Sequence, residues 1–216
     1  GEEDKTSSAG LGTTVALSLL FSVFLFFLVP LGVTSLLDPL LPTSLLKNLF
    51  EGLVRLAVLI LYIAAIGRVP EIRRVFGYHG AEHKTVNAYE DGAELTPERV
   101  AEYSTRHPRC GTGFLLFVVL ISVLVFALAG WPSLLMRIVL RIVLVPVIAS
   151  VAYEVIRLGA RYYHFSLVRV LLAPSLALQG LTTREPDRGM LEIAIAALEQ
   201  VLPERVPQAV QAPELV

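Results

Sequence analysis

The sequence predicts an all-α polytopic membrane protein with about four transmembrane helices and a small cytoplasmic helical module. Three observations point there. The 216 residues are 55% apolar and 17% charged, against roughly 45–50% and 25% in soluble domains. The apolar residues gather in four stretches near the roughly 20-residue length that a bilayer span needs. The charged residues gather between the second and third stretches and again after the fourth. A formal net charge of −1 argues against nucleic acid as a partner, and the single cysteine, Cys110, excludes an internal disulfide framework.

The first apolar stretch runs from Leu11 to Leu37 with a kink expected at Pro30. It is too long for the core of a signal peptide and reads as a retained membrane helix. The second runs from Leu49 to Ile66, the third from Phe114 to Trp131, and the fourth from Leu134 to Leu158. Pro39 and Pro42 close the first hairpin, and Trp131-Pro132 closes the second. A fifth run, Phe165 to Leu178, is short and interrupted by Arg169 and Pro174, so it reads as interfacial or re-entrant.

Orientation follows from the basic residues. The connection 38–48 holds only Lys47. The segment 67–113 holds Arg68, Arg73, Arg74, Lys84, Arg99, Arg106 and Arg109, and five more arginines follow the fourth span. Both termini and the long central loop therefore belong on the cytoplasmic side. In that loop, Tyr78 to Tyr89 reads as a helix stopped by Asp91-Gly92, and Thr96-Pro97 starts a second. Thr182 and Glu185 have capping-box spacing ahead of an amphipathic helix, Met190 to Leu202, with Leu191, Ile195, Leu198 and Leu202 on one stripe. The tail from Pro203 reads as disordered. The expected organisation is a first transmembrane hairpin (1–66), a cytoplasmic helical module (67–113), a second hairpin with its interfacial segment (114–180), and a cytoplasmic loop, helix and tail (181–216).

Three of the four histidines lie between His79 and His107, and the lone cysteine follows three residues later. The centre of the cluster is His79-Gly80-Ala81-Glu82-His83, an H-x-x-E-H pattern. On a helix the two histidines share a face one turn apart, where both imidazoles reach one metal ion. Glu82, beside that face, is placed to act as a general base toward a water that the metal activates. The pattern is the mirrored zinc-protease motif of the inverzincins. The plain alternative is a polar face of a loop helix.

Two ligand sets compete for the rest of the shell. His107 and Cys110 would close it and make the metal, zinc by donor type, a structural one. Glu154 would leave a position open for water and make it catalytic. Read separately, Cys110 is a buried small apolar residue, and Glu154 is a partner for Arg157 one turn on. Imidazole and carboxylate donors also suit iron, and a Cys110–His107 nucleophile pair would need no metal.

Charges inside the spans read as architecture. Glu51 and Arg55 are four apart in the second span, as are Arg137 and Arg141 in the fourth. A Glu51–Arg141 or Glu51–Arg137 contact is expected, with a spare arginine reaching the headgroups; a transport path lined by these residues is the alternative. His164, after Tyr162-Tyr163, reads as part of an aromatic belt. The chain carries no G-x-G-x-x-G, Walker or G-x-S-x-G motif.

With these motifs the chain resembles the YqhQ-like family of bacterial integral membrane proteins. The matching strings are Tyr78-His79-Gly80-Ala81-Glu82-His83-Lys84-Thr85, His107-Pro108-Arg109-Cys110-Gly111-Thr112, Tyr153-Glu154 and Leu181-Thr182-Thr183-Arg184-Glu185-Pro186-Asp187. The resemblance implies a multi-pass protein of the bacterial inner membrane with a metal site resting on the histidine motif. It also implies a further N-terminal segment with a Gly-Gly-Gln-Ala-Val-type motif, so these 216 residues, beginning at Gly1, read as a fragment. As a family signature, Thr183, Arg184 and Glu185 become a polar loop closing over the metal site. The functional expectation is a membrane-bound, zinc-dependent hydrolase or peptidase acting at the membrane surface on a peptide or lipid-linked substrate. The alternative is a non-catalytic protein whose structural zinc holds a docking surface for membrane-protein assembly or transport. Lipid bilayer is the one partner common to both.

Overall fold

A computed structural model describes residues 8–202, and the tail from Pro203, expected to be disordered, lies outside the described residues. Every regular element among them is helical: α1 (Ser8–Val23), a π-helical turn (Phe24–Leu28), α2 (Val29–Leu36), a 3-10 turn (Asp38–Leu40), α3 (Ser44–Ile66), α4 (Pro70–Glu90), α5 (Pro97–Val100), α6 (Gly111–Ala129), α7 (Leu134–Val143), α8 (Val145–Arg161), α9 (Ser166–Gln179) and α10 (Arg188–Val201). Gly10–Leu36, α3 and α6 are long and apolar enough to cross a membrane, and α7 with α8 makes a fourth if the bent pair is one span. The fold is the all-α polytopic architecture that the sequence predicts. The described residues divide into two compact units, an apolar one (8–68 and 108–181) and a polar helical one (69–107 and 182–202).

In the apolar unit the breaks fall where prolines remove backbone donors. Pro30 has no N–H for the carbonyl four residues back, that of Phe26, and the helix loosens there into its π turn. Arg55 Nε answers that carbonyl from α3 at 3.1 Å. Pro146 withholds a donor from Ile142 in the same way, and α7 and α8 meet at 46°. The third span starts at Gly111 rather than Phe114, because Cys110 caps it, and ends at Gly130, whose φ of 73° suits only glycine. At 14 residues α9 is too short to span. Helices approach closely where glycine permits: a Cβ on Gly52 would collide with the Val123 side chain, and one on Gly113 with Ser175 Oγ.

A charged cluster lies inside this unit. Glu51 accepts from Arg55 Nη2 at 2.7 Å and from Arg141 Nε at 2.9 Å, and Arg141 Nη2 completes a two-pronged contact on the second carboxylate oxygen. Of the two arginines open to Glu51 from the sequence, the structure uses Arg141; Arg137 instead lies 4.1 Å over the Trp131 ring. Arg55 also donates to Ser122 Oγ at 2.9 Å, so its guanidinium bonds three different groups. Nearer the helix ends, Lys47 pairs with Asp38 at 2.8 Å and holds that carboxyl below its ordinary range.

The helical unit is built on α4 and α10. Ala81 and Ala88 on α4 are buried against Leu191 and Ile195 on α10 and against Val100 on α5. Burial contributes about 1.5–3 kcal/mol for each large apolar side chain. Two starts differ from expectation. Helix α4 begins at Pro70, eight residues before Tyr78, because proline is pre-organised for a first helical position and Glu71 favours the N-terminal dipole. Helix α10 is capped by Asp187, which accepts from Met190 N at 2.9 Å, rather than by Thr182 and Glu185. Pro186 disfavours helical geometry at Glu185, which moves the start beyond it.

The Glu51 cluster generates a stability prediction. Glu51→Gln leaves Arg55 and Arg141 buried without their carboxylate and should cost about 3–5 kcal/mol. Ser122→Ala removes one hydrogen bond and should cost about 1 kcal/mol. Thermal unfolding of the detergent-solubilised chain measures both, and equal Tm shifts would contradict the ranking.

Candidate metal centre

Helix α4 carries His79 and His83 one turn apart. Their ring centroids are 4.3 Å apart at 65°, and a ring nitrogen of one lies within 4.8 Å of a ring nitrogen of the other. His107, at the end of the segment that follows α5, brings its ring to 5.9 Å from that of His83. The helical unit thus gathers three of the chain's four histidines. His83 and His107 are buried, and His79 is half-buried.

Backbone carbonyls orient two of these rings. His79 Nδ1 lies 2.9 Å from the Thr182 carbonyl oxygen, and His83 Nδ1 lies 2.6 Å from that of Thr105. A carbonyl only accepts, so both Nδ1 atoms carry a proton and donate it. In the neutral ring the lone pair is then on Nε2, the atom a metal would take. Ligating histidines characteristically give their other N–H to a carbonyl or carboxylate, which holds tautomer and orientation. His107 Nε2 lies 3.4 Å from a Glu90 carboxylate oxygen. These imidazole donors fit zinc, and also iron, copper or nickel.

The segment that carries Thr105 and His107 is fastened along one face of α4. Lys84 Nζ donates to the Ala101 carbonyl at 2.8 Å and pairs with Glu185 at 3.0 Å. Asn87 Nδ2 donates to the carbonyls of Ser104 at 2.9 Å and Arg106 at 3.0 Å. Tyr103 O–H donates to Asp91 at 2.7 Å, a bond that pushes the phenol above its ordinary pKa. Positions 83, 84, 87 and 90 form a polar stripe of helical spacing, so a signal for this role was present. The carbonyls it binds are not written in side-chain identities.

The segment after Leu181 holds the other side of α4. Arg184 N donates to the Phe76 carbonyl at 2.9 Å, and Thr182 and Thr183 are buried. Gly80, inside the H-x-x-E-H motif, faces this segment: a Cβ there would collide with the Arg184 carbonyl oxygen. Arg184 Nη1 donates to the Thr183 carbonyl at 3.0 Å, and Glu185 is exposed apart from its contact with Lys84. Glu82, the candidate base, is exposed on α4 beside His83.

The remaining candidates belong to the apolar unit. Cys110 is buried, its Sγ accepts from Thr112 N at 3.3 Å as the cap of α6, and it lines a cavity of about 490 Å³ with Arg109, Tyr153 and Arg157. Glu154 is exposed and pairs with Arg157 at 3.2 Å. His164 is exposed, with its ring 4.1 Å from that of Phe165.

Fold and site together define a class: an all-α polytopic membrane protein with a helical unit that gathers histidines on an H-x-x-E-H helix. The chain belongs to the family described as "Protein of unknown function (DUF1385)", which matches residues 1–204. It is 36% identical over 205 residues to a protein of Bacillus subtilis (strain 168) named "Uncharacterized protein YqhQ", which is the resemblance carried by the motif strings. That alignment covers 93% of this chain and 64% of the relative, so the chain spans a little under two thirds of the relative's length. No solved structure matches the chain.

Gly80 supplies the prediction here. Gly80→Ala must displace the Arg184 backbone and with it the neighbouring Thr182 carbonyl that orients His79. A loss of about 1–3 kcal/mol is expected, read as a lowered Tm, whereas Gly92→Asn, at a φ of 74° in an open turn, should be nearly silent.

Proposed function

We propose that this chain is part of a zinc-dependent hydrolase of the bacterial inner membrane, with the histidine unit and both termini on the cytoplasmic side. Its substrate is a peptide or lipid-linked molecule met at the membrane surface. The observation that carries the reading is the pair of Nδ1–carbonyl bonds, which put the lone pair on Nε2 of both His79 and His83, on rings 4.3 Å apart. His107, with its ring 5.9 Å from that of His83, supports the reading as a further imidazole of the same unit. A bound zinc ion supplies Lewis acidity, which lowers the pKa of water toward neutrality. The Glu82 carboxylate, exposed next to His83, is the proton acceptor, and the half-buried face of His79 is where a substrate approaches. The basic residues of 67–113 and of the segment after α8 support the orientation.

The alternative, a structural zinc that staples a docking surface, is less well supported. His83, Lys84 and Asn87 already hold the 101–107 segment to α4 through four side-chain bonds to its carbonyls. A metal is not needed to fasten it.

Metal analysis of the purified chain and its variants tests the proposal. His83→Ala should lose the metal, and Glu82→Gln should keep it while cellular function is lost. A wild-type chain without metal would refute both readings. Metal loss in Cys110→Ala with a silent Glu82→Gln would favour the staple. Silent Arg184→Ala and Glu185→Ala variants would remove 183–185 from the site.

A further inference from the structure

The charged cluster of the apolar unit is not balanced. Arg55, Arg137, Arg141 and Lys47 face only two carboxylates, Glu51 and Asp38. Glu51 is committed to Arg55 and Arg141, and Asp38 to Lys47, so Arg137 makes no direct ion pair among the described residues and feels the Asp38 charge only from further off. Arg137 is 8% exposed. Its contacts are the Trp131 ring and a 3.4 Å bond from Nη1 to Ser35 Oγ, and its buried Nε has no hydrogen-bond acceptor among the described residues. A buried guanidinium in an apolar medium requires a counter-charge or access to headgroups.

An apolar groove begins at Ile138, the next residue of the same helix. It encloses about 240 Å³ between the first helix and the bent pair, lined by Phe27, Leu31, Ile138, Ile142 and Val145, with Arg141 as its one charged member. Arg137 lies near the start of α7, where Trp131 precedes it as an interfacial aromatic would. Cationic groups near a helix end and an apolar channel running inward from them match one kind of molecule, an amphiphile with an anionic head. We propose that this face binds an anionic phospholipid, the phosphodiester on Arg137 and an acyl chain in the groove. Arginine suits this headgroup because its planar fork bonds two phosphate oxygens at once.

The test is native mass spectrometry of the full chain in a zwitterionic detergent, titrated with dioleoyl phosphatidylglycerol, dioleoyl phosphatidylcholine and inorganic phosphate. Retention of phosphatidylglycerol about tenfold above phosphatidylcholine is expected, the scale of one charge-assisted hydrogen bond. Arg137→Gln should abolish the preference, and Arg137→Lys should keep most of it. Val145→Trp, which fills the groove without touching the charges, should lower retention and decides the matter if Arg137→Gln does not fold. Equal retention of the two lipids would overturn the proposal, as would variants that leave the preference intact. Displacement of the lipid by millimolar inorganic phosphate would make this a simple anion site and overturn the lipid assignment.

Discussion

A backbone carbonyl taken out of water must find a donor, and where the helices cannot supply one the side chains of this protein do. The carbonyl of Phe26, left by Pro30, takes Arg55. Those of Thr105 and Thr182, outside any helix, take His83 and His79. Those of Ala101, Ser104 and Arg106 take Lys84 and Asn87. In lipid the constraint is severe because no water competes for the role. In the helical unit it is milder, yet it decides which way two imidazoles point. The same requirement that holds the chain together therefore selects the chemistry its histidines can offer.

The spans were the most legible part of the sequence, because hydropathy reports solvent directly and lipid is an extreme solvent. Charge pairing inside them was nearly as legible. Glu51 had few arginines within reach, and the cost of an unpaired ion in lipid removes most alternatives. Boundaries were less so. Helix α4 extends back to Pro70 through Arg73 and Arg74, a polar turn whose helicity no hydrophobic stripe announces. Helix α10 starts at Arg188, capped by Asp187, because Pro186 overrides a capping-box pattern that is complete in residue types.

At the site, H-x-x-E-H spacing placed His79 and His83 correctly on one helical face, since period alone determines that. Glu90 beside His107, and the carbonyls of Thr105 and Thr182, could not be read in advance. They arrive through tertiary packing of 101–107 and 182–187 on α4, and backbone atoms leave no trace in residue identity. Thr182 illustrates the gap. Its side-chain type suggested a cap, whereas its contribution is a carbonyl. Family membership leaves the chemistry to the geometry, because the family's description names none.

The central claim is that His79 and His83 are held as Nδ1–H tautomers with Nε2 presented to a metal. Long-range nitrogen–proton correlation spectra of the ¹⁵N-histidine-labelled chain test it directly, recorded without metal and then with zinc. The account predicts protonated Nδ1 on both rings in the metal-free protein and zinc-induced shifts confined to their Nε2 resonances. Nε2–H tautomers, or rings that zinc leaves unmoved, would contradict it.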